Sequence, residues 1–337
     1  MMERITIKGS PFDIGMALGT LGRPAAGLIA AALARNDDAV ASARAAAVFL
    51  LDRVQSDCPR YWEELRGMSA GLGLDIRDVF AWNCWPDVAA NDGTASGTVA
   101  VNRLGYGLIL HNLRLGPALA RQCRMVDVEP EDEPGFLSLY VPGRLPGQTF
   151  AANRAGIVQV ATHIVGEKQG TGLPGFVVCR AVLAARSLPE ALDIVMECDR
   201  FGSTHHVLAS SDEFIMLNIT ATPSGPVLTP IPNKYWHTNH RVQKRVPEGA
   251  RTSSHERYVA LGELLDQLPS HPTEYDILAM LQSLQMHRAD APRGATEIVA
   301  AEGEVGTALI KILPRRIELR MVPLEADGEQ RFVVPVE

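Results

Sequence analysis

The chain has 337 residues, 46% of them apolar and 21% charged, with a formal net charge of −7 and a pI near 5.8. So much apolar sequence can bury a large core, as about two domains or one large α/β unit, and it excludes wholesale disorder. The acidic balance, relieved only by the short basic run "HRVQKR" at 240–245, argues against nucleic acid as a partner.

The opening "MMERITIKGSPFDIG" is charged and strand-like and lacks the apolar stretch of a signal peptide. No later stretch holds about 18 uninterrupted apolar residues, so a cytoplasmic location without a membrane partner is expected. Up to about residue 90 the text is helical: "PFDIGMALGTLG", the Ala-rich "RPAAGLIAAALARNDDAVASARAAAVFLLDRVQ" and "CPRYWEELRGMSAGLGLDIRDVFAWN". Apolar residues recur there at three- and four-residue spacing, and Asp75 is placed to cap a helix through Val79 to Trp82. From Gly97 the period changes to that of short strands: "GTVAVN", "YGLILHN", "GFLSLYV", "GIVQVATH", "HHVLASSDEFIMLNIT" and "GPVLTPI", parted by Gly, Pro and Asp turns. Helical insertions follow in "GLPGFVVCRAVLAARSLPEALDIVMEC" and in "SSHERYVALGELLDQL" with "TEYDILAMLQSLQ". The chain closes with the meander strands "GTALIKILPRRIELRMVPL" and "QRFVVPVE". Without repeats or an obvious linker, this order predicts an α+β fold, sheets layered with helices in one compact unit over 1–337.

Several catalytic signatures are missing: there is no G-x-G-x-x-G, P-loop, H-E-x-x-H or G-x-S-x-G. Five cysteines, Cys58, Cys84, Cys123, Cys179 and Cys198, are odd in number and form no C-x-x-C pair, which suits buried thiols better than disulfides or zinc. The pairs His205-His206 and His237-x-x-His240 have no carboxylate or cysteine set beside them, so no metal is expected.

Two stretches stand out. "NDGTASGTVAVN" at 91–102 places small and hydroxyl residues directly before a β-branched strand, which suits either a plain surface turn or a self-cleaving junction whose new N-terminal residue becomes a nucleophile. "NKYWHTNHRVQ" at 233–243 concentrates histidine and asparagine. With these, "IKGSPFDIGMALG", Asn153-Arg154-Ala155-Gly156 and Arg293 through Thr296, the chain resembles, in order and over nearly its whole length, the isopenicillin-N acyltransferase family of autoproteolytic N-terminal-nucleophile hydrolases and acyltransferases. His237, Thr238, Asn239 and His240 match the family's His-Thr-Asn-His segment residue for residue.

The resemblance implies an αββα sandwich that matures into an α-chain, 1–95, and a β-chain, 96–337, which stay associated, with homo-oligomers open. Laid on "TASGTVAV", the family's cysteine junction falls on Ser96, with Thr98 two residues on; Thr94 and Thr98 are rival positions. The family's Gln-Asn-x-Asp stretch falls on His111 to Arg114, so Asn112 matches while Arg114 replaces an aspartate. A serine hydroxyl needs a base, and an α-amino group with an unperturbed pKa of about 7.7–8.0 serves once the Ala95-Ser96 bond is broken. Asn239 is implied as the oxyanion donor, with His237 and His240 in support. Arg114 is either a solvated strand-end residue or a binder of a substrate carboxylate, and Arg288 and Arg293 are alternative binders. The expected activity is hydrolysis of a small N-acyl amide, or its acyl transfer, without a cofactor. An uncleaved, catalytically silent ligand binder is the alternative, and a cysteine enzyme built on Cys84 or Cys123 lacks a supporting constellation.

Overall fold

The computed structural model describes residues 3–88, 95–103, 105–164, 167–243, 252–270, 272–280, 304–322 and 330–337. A strand, β1 (Arg4–Gly9), leads into α1 (Pro11–Gly22). Ser10 and Asp13 exchange side-chain bonds to each other's backbone N–H and proline fills the first turn, so three local signals agree on the start of that helix. Four more helices follow: α2 (Ala26–Leu33), α3 (Asp38–Asp57), α4 (Pro59–Leu72) and α5 (Ile76–Val88). Gly73, at φ 72°, ends α4 in the left-handed conformation that glycine adopts without strain. α5 runs past Trp82, where the sequence predicts its end, and carries Pro86 inside.

Glycine also explains the tightest helix contact. A Cβ at Gly15 would stand 1.9 Å from the Glu64 carbonyl oxygen, and one at Gly67 2.1 Å from that of Phe12. α1 and α4 therefore interlock backbone to backbone. By length and composition the run Pro11–Leu33 could cross a membrane, with 33% of its apolar window buried inside the fold.

The remaining elements are β2 (Ala95–Arg103), β3 (Tyr106–Arg114), the short α6 (Pro117–Ala120), β4 (Arg124–Pro130), β5 (Phe136–Tyr140), β6 (Phe150–Asn153) and β7 (Ile157–His163). Then come α7 (Gly175–Val182), α8 (Leu188–Glu197), β8 (Thr204–Ser210), β9 (Met216–Thr222), β10 (Gly225–Pro230), β11 (Lys234–His237), α9 (Ser253–Gln267), β12 (Glu304–Leu313), β13 (Arg316–Val322) and β14 (Gln330–Pro335). They build an eight-stranded sheet, β1-β4-β5-β6-β7-β8-β9-β10, and a six-stranded sheet, β11-β2-β3-β12-β13-β14. β1 pairs in parallel with β4, so the helical opening is stitched into the first sheet.

Alternation along the strands decides the layers. Leu113, Phe150, Val158, Val160, Val207, Ile310 and Leu319 meet between the sheets. On the outer face of the first sheet, Val126 and Val128 pack under α1–α5, and Leu208 and Ile219 under α7 and α8. On the outer face of the second, Val99, Val101, Leu108 and Leu110 pack under α9 through Leu261 and Leu265. The order is αββα, as the family resemblance implies.

Three strands escape the sequence pattern: β4, β6 and β11. β4 carries Asp127 and Glu129, whose charges are met by Arg4, Lys8 and Arg154. Cys84, Cys123 and Cys179 are buried, whereas Cys58 and Cys198 are only half-buried.

Candidate active site

β11 runs antiparallel to β2, with His237 opposite Thr98 and Trp236 opposite Val99. Continued two residues past the end of β11, this register sets Asn239 beside Ser96. The side chain of Asn239 then uses its whole hydrogen-bonding capacity. Oδ1 accepts the Ser96 N–H at 2.9 Å and the Arg257 Nη2 at 3.0 Å; Nδ2 donates to Ser96 Oγ at 3.2 Å and to the His163 carbonyl at 3.1 Å. Both partners of Oδ1 are donors only and the carbonyl is an acceptor only, which fixes the carboxamide's orientation. Ser96 and Asn239 are each 7% exposed, at one end of the space between the sheets.

Thr98 continues the inward face of β2. Its Oγ1 lies 3.0 Å from His111 Nδ1 on β3 and 3.4 Å from Thr162 Oγ1 on β7, so it bridges the two sheets beneath Ser96. His237 faces the same interior, stacked on His205 at 4.5 Å. His240 turns toward α9, 3.0 Å from Ser254 Oγ and stacked on His255. Burial lowers all of these imidazoles below the ordinary histidine range: His111 to about 3, His205 to about 4, His237 well below, and His240 to about 4 with help from His255. They are neutral at physiological pH. His237 thus packs, and His240 hydrogen-bonds, around the segment that presents Asn239.

The other expected positions divide. Asn112 and Arg114 oppose Gly97 and Ala95 across the β2–β3 pair, so their side chains leave the face of β3 opposite to that of His111 and Leu113. Asn112 donates there to Thr307 Oγ1 at 3.2 Å. This corrects their expected place in the pocket: the period of two carries them away from the Ser96 side chain. Asn153, of the Asn-x-x-Gly motif, anchors a turn, accepting the Ile157 N–H and donating to the carbonyls of Leu183 and Ala185. Thr94, Arg288 and Arg293 lie outside the described residues.

Sequence reasoning missed Arg257, Thr162, His163 and Asp87. Arg257 sits in a helix whose facing partner no local pattern reveals. A lone carboxylate inside the apolar run "FAWNCWPDV" is a signal that was available for Asp87. Among the described residues, no group of three or more His, Cys, Asp or Glu is placed to hold a metal ion.

The four-layer αββα order, built from two facing sheets each covered by helices, is the architecture expected of an N-terminal-nucleophile amidohydrolase or acyltransferase. Residues 102–320 match the family described as acyl-coenzyme A:6-aminopenicillanic acid acyl-transferase, and the chain belongs to that family. Ser96 precedes the matched stretch, whereas Asn239 and Arg257 fall inside it. No curated protein matches the chain. Among solved structures, the penicillin V acylase from Agrobacterium tumefaciens is similar, with 12% identity and a TM-score of 0.42 over 71% of this chain and 86% of that one.

Proposed function

We propose that the protein hydrolyses a small N-acyl amide, or transfers its acyl group, through an acyl ester on Ser96 that becomes available when the Ala95–Ser96 bond is cut. The observation that carries this reading is the grip of Asn239 on both the nitrogen and the hydroxyl of Ser96. In the maturation step, Ser96 Oγ adds to the Ala95 carbonyl carbon, its proton passes to the leaving Ser96 nitrogen, the C–N bond breaks, and water hydrolyses the resulting ester. In turnover, the freed α-amine takes the Oγ proton as Oγ adds to the substrate carbonyl. It then gives that proton to the leaving amine, and water releases the acid.

Asn239 serves both steps. A donor already at 3.2 Å from Oγ is within reach of the oxyanion that forms on the carbon bonded to that oxygen. Arg257 shares Asn239 Oδ1 with the Ser96 nitrogen, and its fixed positive charge favours the neutral, proton-accepting amine. Water is always present, so hydrolysis is favoured over transfer, and no step calls for a cofactor. The parallel pairing of β1 with β4 and the buried bonds of Arg180 to Glu64 support two chains that remain together after cleavage.

The test is a set of N-acyl p-nitroanilides of varied chain length, quenched in acid during turnover. An acyl adduct on the peptide that begins at Ser96, absent from Ser96→Ala, is expected. Turnover with the adduct on a cysteine, or undiminished turnover by Ser96→Ala, would move the nucleophile elsewhere.

A further inference from the structure

Asp87 and His163 take no part in the chemistry above. The side chain of Asp87, in the last turn of α5, is fully buried, and its Oδ1 lies 3.5 Å from His163 Nδ1. Oδ2 accepts the N–H of Gly175, the first residue of α7, at 2.8 Å, where unpaired helix-start amides favour a negative charge. Two glycines make the room: a Cβ at Gly175 would stand 2.7 Å from Asp87 Oδ1, and one at Gly202 2.2 Å. Backbone from two separate segments is thus shaped around this one carboxylate. Among the described residues, Asp87 Oδ1 and both ring nitrogens of His163 have no hydrogen-bond partner, so the 3.5 Å approach of Oδ1 to Nδ1 is the polar contact that joins these atoms.

Three titratable groups feel the pair electrostatically, Cys84 and Cys179 through Asp87 and His206 through His163. Cys84 on α5 and Cys179 on α7 are both raised by burial, with Asp87 adding to the shift, and stay protonated. His206 on β8 is lowered to about 3 by burial and by Arg200, and is neutral. Arg200 itself gives Nη2 to the carbonyls of Val195 and Cys198.

His163 is also the last residue of β7, and its own carbonyl accepts Asn239 Nδ2. We propose that Asp87 and His163 are a positioning pair. The carboxylate holds the imidazole at the end of β7, and this fixes the His163 carbonyl and with it the angle at which the Asn239 amide meets Ser96. The inference rests on Ser96 as the self-cleaved nucleophile, and it gives the upstream fragment a standing role. Asp87 precedes the junction, so after cleavage the shorter chain continues to shape the oxyanion donor of the longer one.

The experiment uses the full chain with Asp87→Asn and His163→Gln, near-isosteric changes that keep a polar group in place. Selective 15N-asparagine labelling reads the Asn239 side-chain amide, assigned by its loss in Asn239→Ala, and intact mass reads the rate of self-cleavage. Both variants are expected to move the Asn239 amide resonances and to slow cleavage and turnover on the order of tenfold to a hundredfold, the scale of a small misplacement of a catalytic group. The loss should fall on kcat with KM unchanged. Folded variants with an unmoved Asn239 amide and normal rates would overturn the pairing while leaving Ser96 intact as nucleophile. An uncleaved wild-type chain whose Asn239 amide still responds to both variants would overturn the reading of Ser96 and leave the positioning contact standing. Failure of both variants to fold would make the pair a folding element and also overturn the proposal.

Discussion

Replacing Asn239 separates what the carboxamide does for the fold from what it does for the reaction. Asn239→Ala deletes four hydrogen bonds, two from each end of the group. The buried Ser96 N–H loses its acceptor, at a cost of about 1–3 kcal/mol in stability. The oxyanion loses its donor, which typically costs about 2.7–4 kcal/mol, or 10²–10³ in kcat. Asn239→Asp keeps an acceptor for Ser96 N–H and for Arg257 but has no donor for Ser96 Oγ or the oxyanion. The two variants should therefore share the loss in kcat and differ in stability, with alanine the less stable. Initial rates of p-nitroaniline release and urea midpoints at one pH measure both quantities. An Asn239→Asp enzyme turning over at the wild-type rate would refute the assignment of Nδ2 as oxyanion donor.

Three further outcomes follow from the packing. The histidines His111, His205, His206 and His237 are held neutral, with His111 and His206 at about 3 and His205 at about 4. The unfolded chain takes up protons below about pH 6.5 that the folded chain refuses, so their contribution is complete above that pH and is lost progressively as pH falls toward 4 for His205 and toward 3 for His111 and His206. Each of His111, His205 and His206 accounts for about 2 kcal/mol by pH 5, and a urea midpoint that does not drop between pH 7 and pH 5 would contradict their burial as neutral rings. Arg180, 0% exposed, bonds Glu64 at 2.6 and 3.0 Å and Glu133 at 2.8 Å; Arg180→Met strands the buried Glu64 carboxylate, whereas Glu133 keeps Arg60 at 2.7 Å, and should cost about 3–5 kcal/mol, read as a fall in thermal midpoint. Arg114 leaves the strand on the face away from Ser96, so Arg114→Ala should leave the ratio of kcat/KM for matched acidic and neutral amides unchanged, and a selective loss on the acidic substrate would return it to the pocket.

The ordering of helices before strands was legible because each period is local: three- and four-residue spacing through α1–α5, alternation through β2, β3 and β7. β4 was not, because Asp127 and Glu129 break its apolar pattern and their partners, Arg4, Lys8 and Arg154, arrive from distant sequence. Ser96 and Asn239 were legible from residue type and family resemblance, 143 positions apart, and the antiparallel register of β2 and β11 is what joins them. The same registers correct Asn112 and Arg114, since a motif read as a string does not say which residues share a strand face. Asp87 and His163 were hidden for a different reason: their meeting depends on glycines at 175 and 202, which in the sequence look like ordinary turn residues.

The intact mass of the purified protein bears most directly on the central claim. Two species are expected, of 95 residues and of 337 − 95 = 242 residues, co-eluting under native conditions, with the longer one beginning Ser-Gly-Thr-Val and Ser96→Ala remaining whole. A single full-length species from active wild-type protein, or a cut that leaves Ser96 internal, would contradict it.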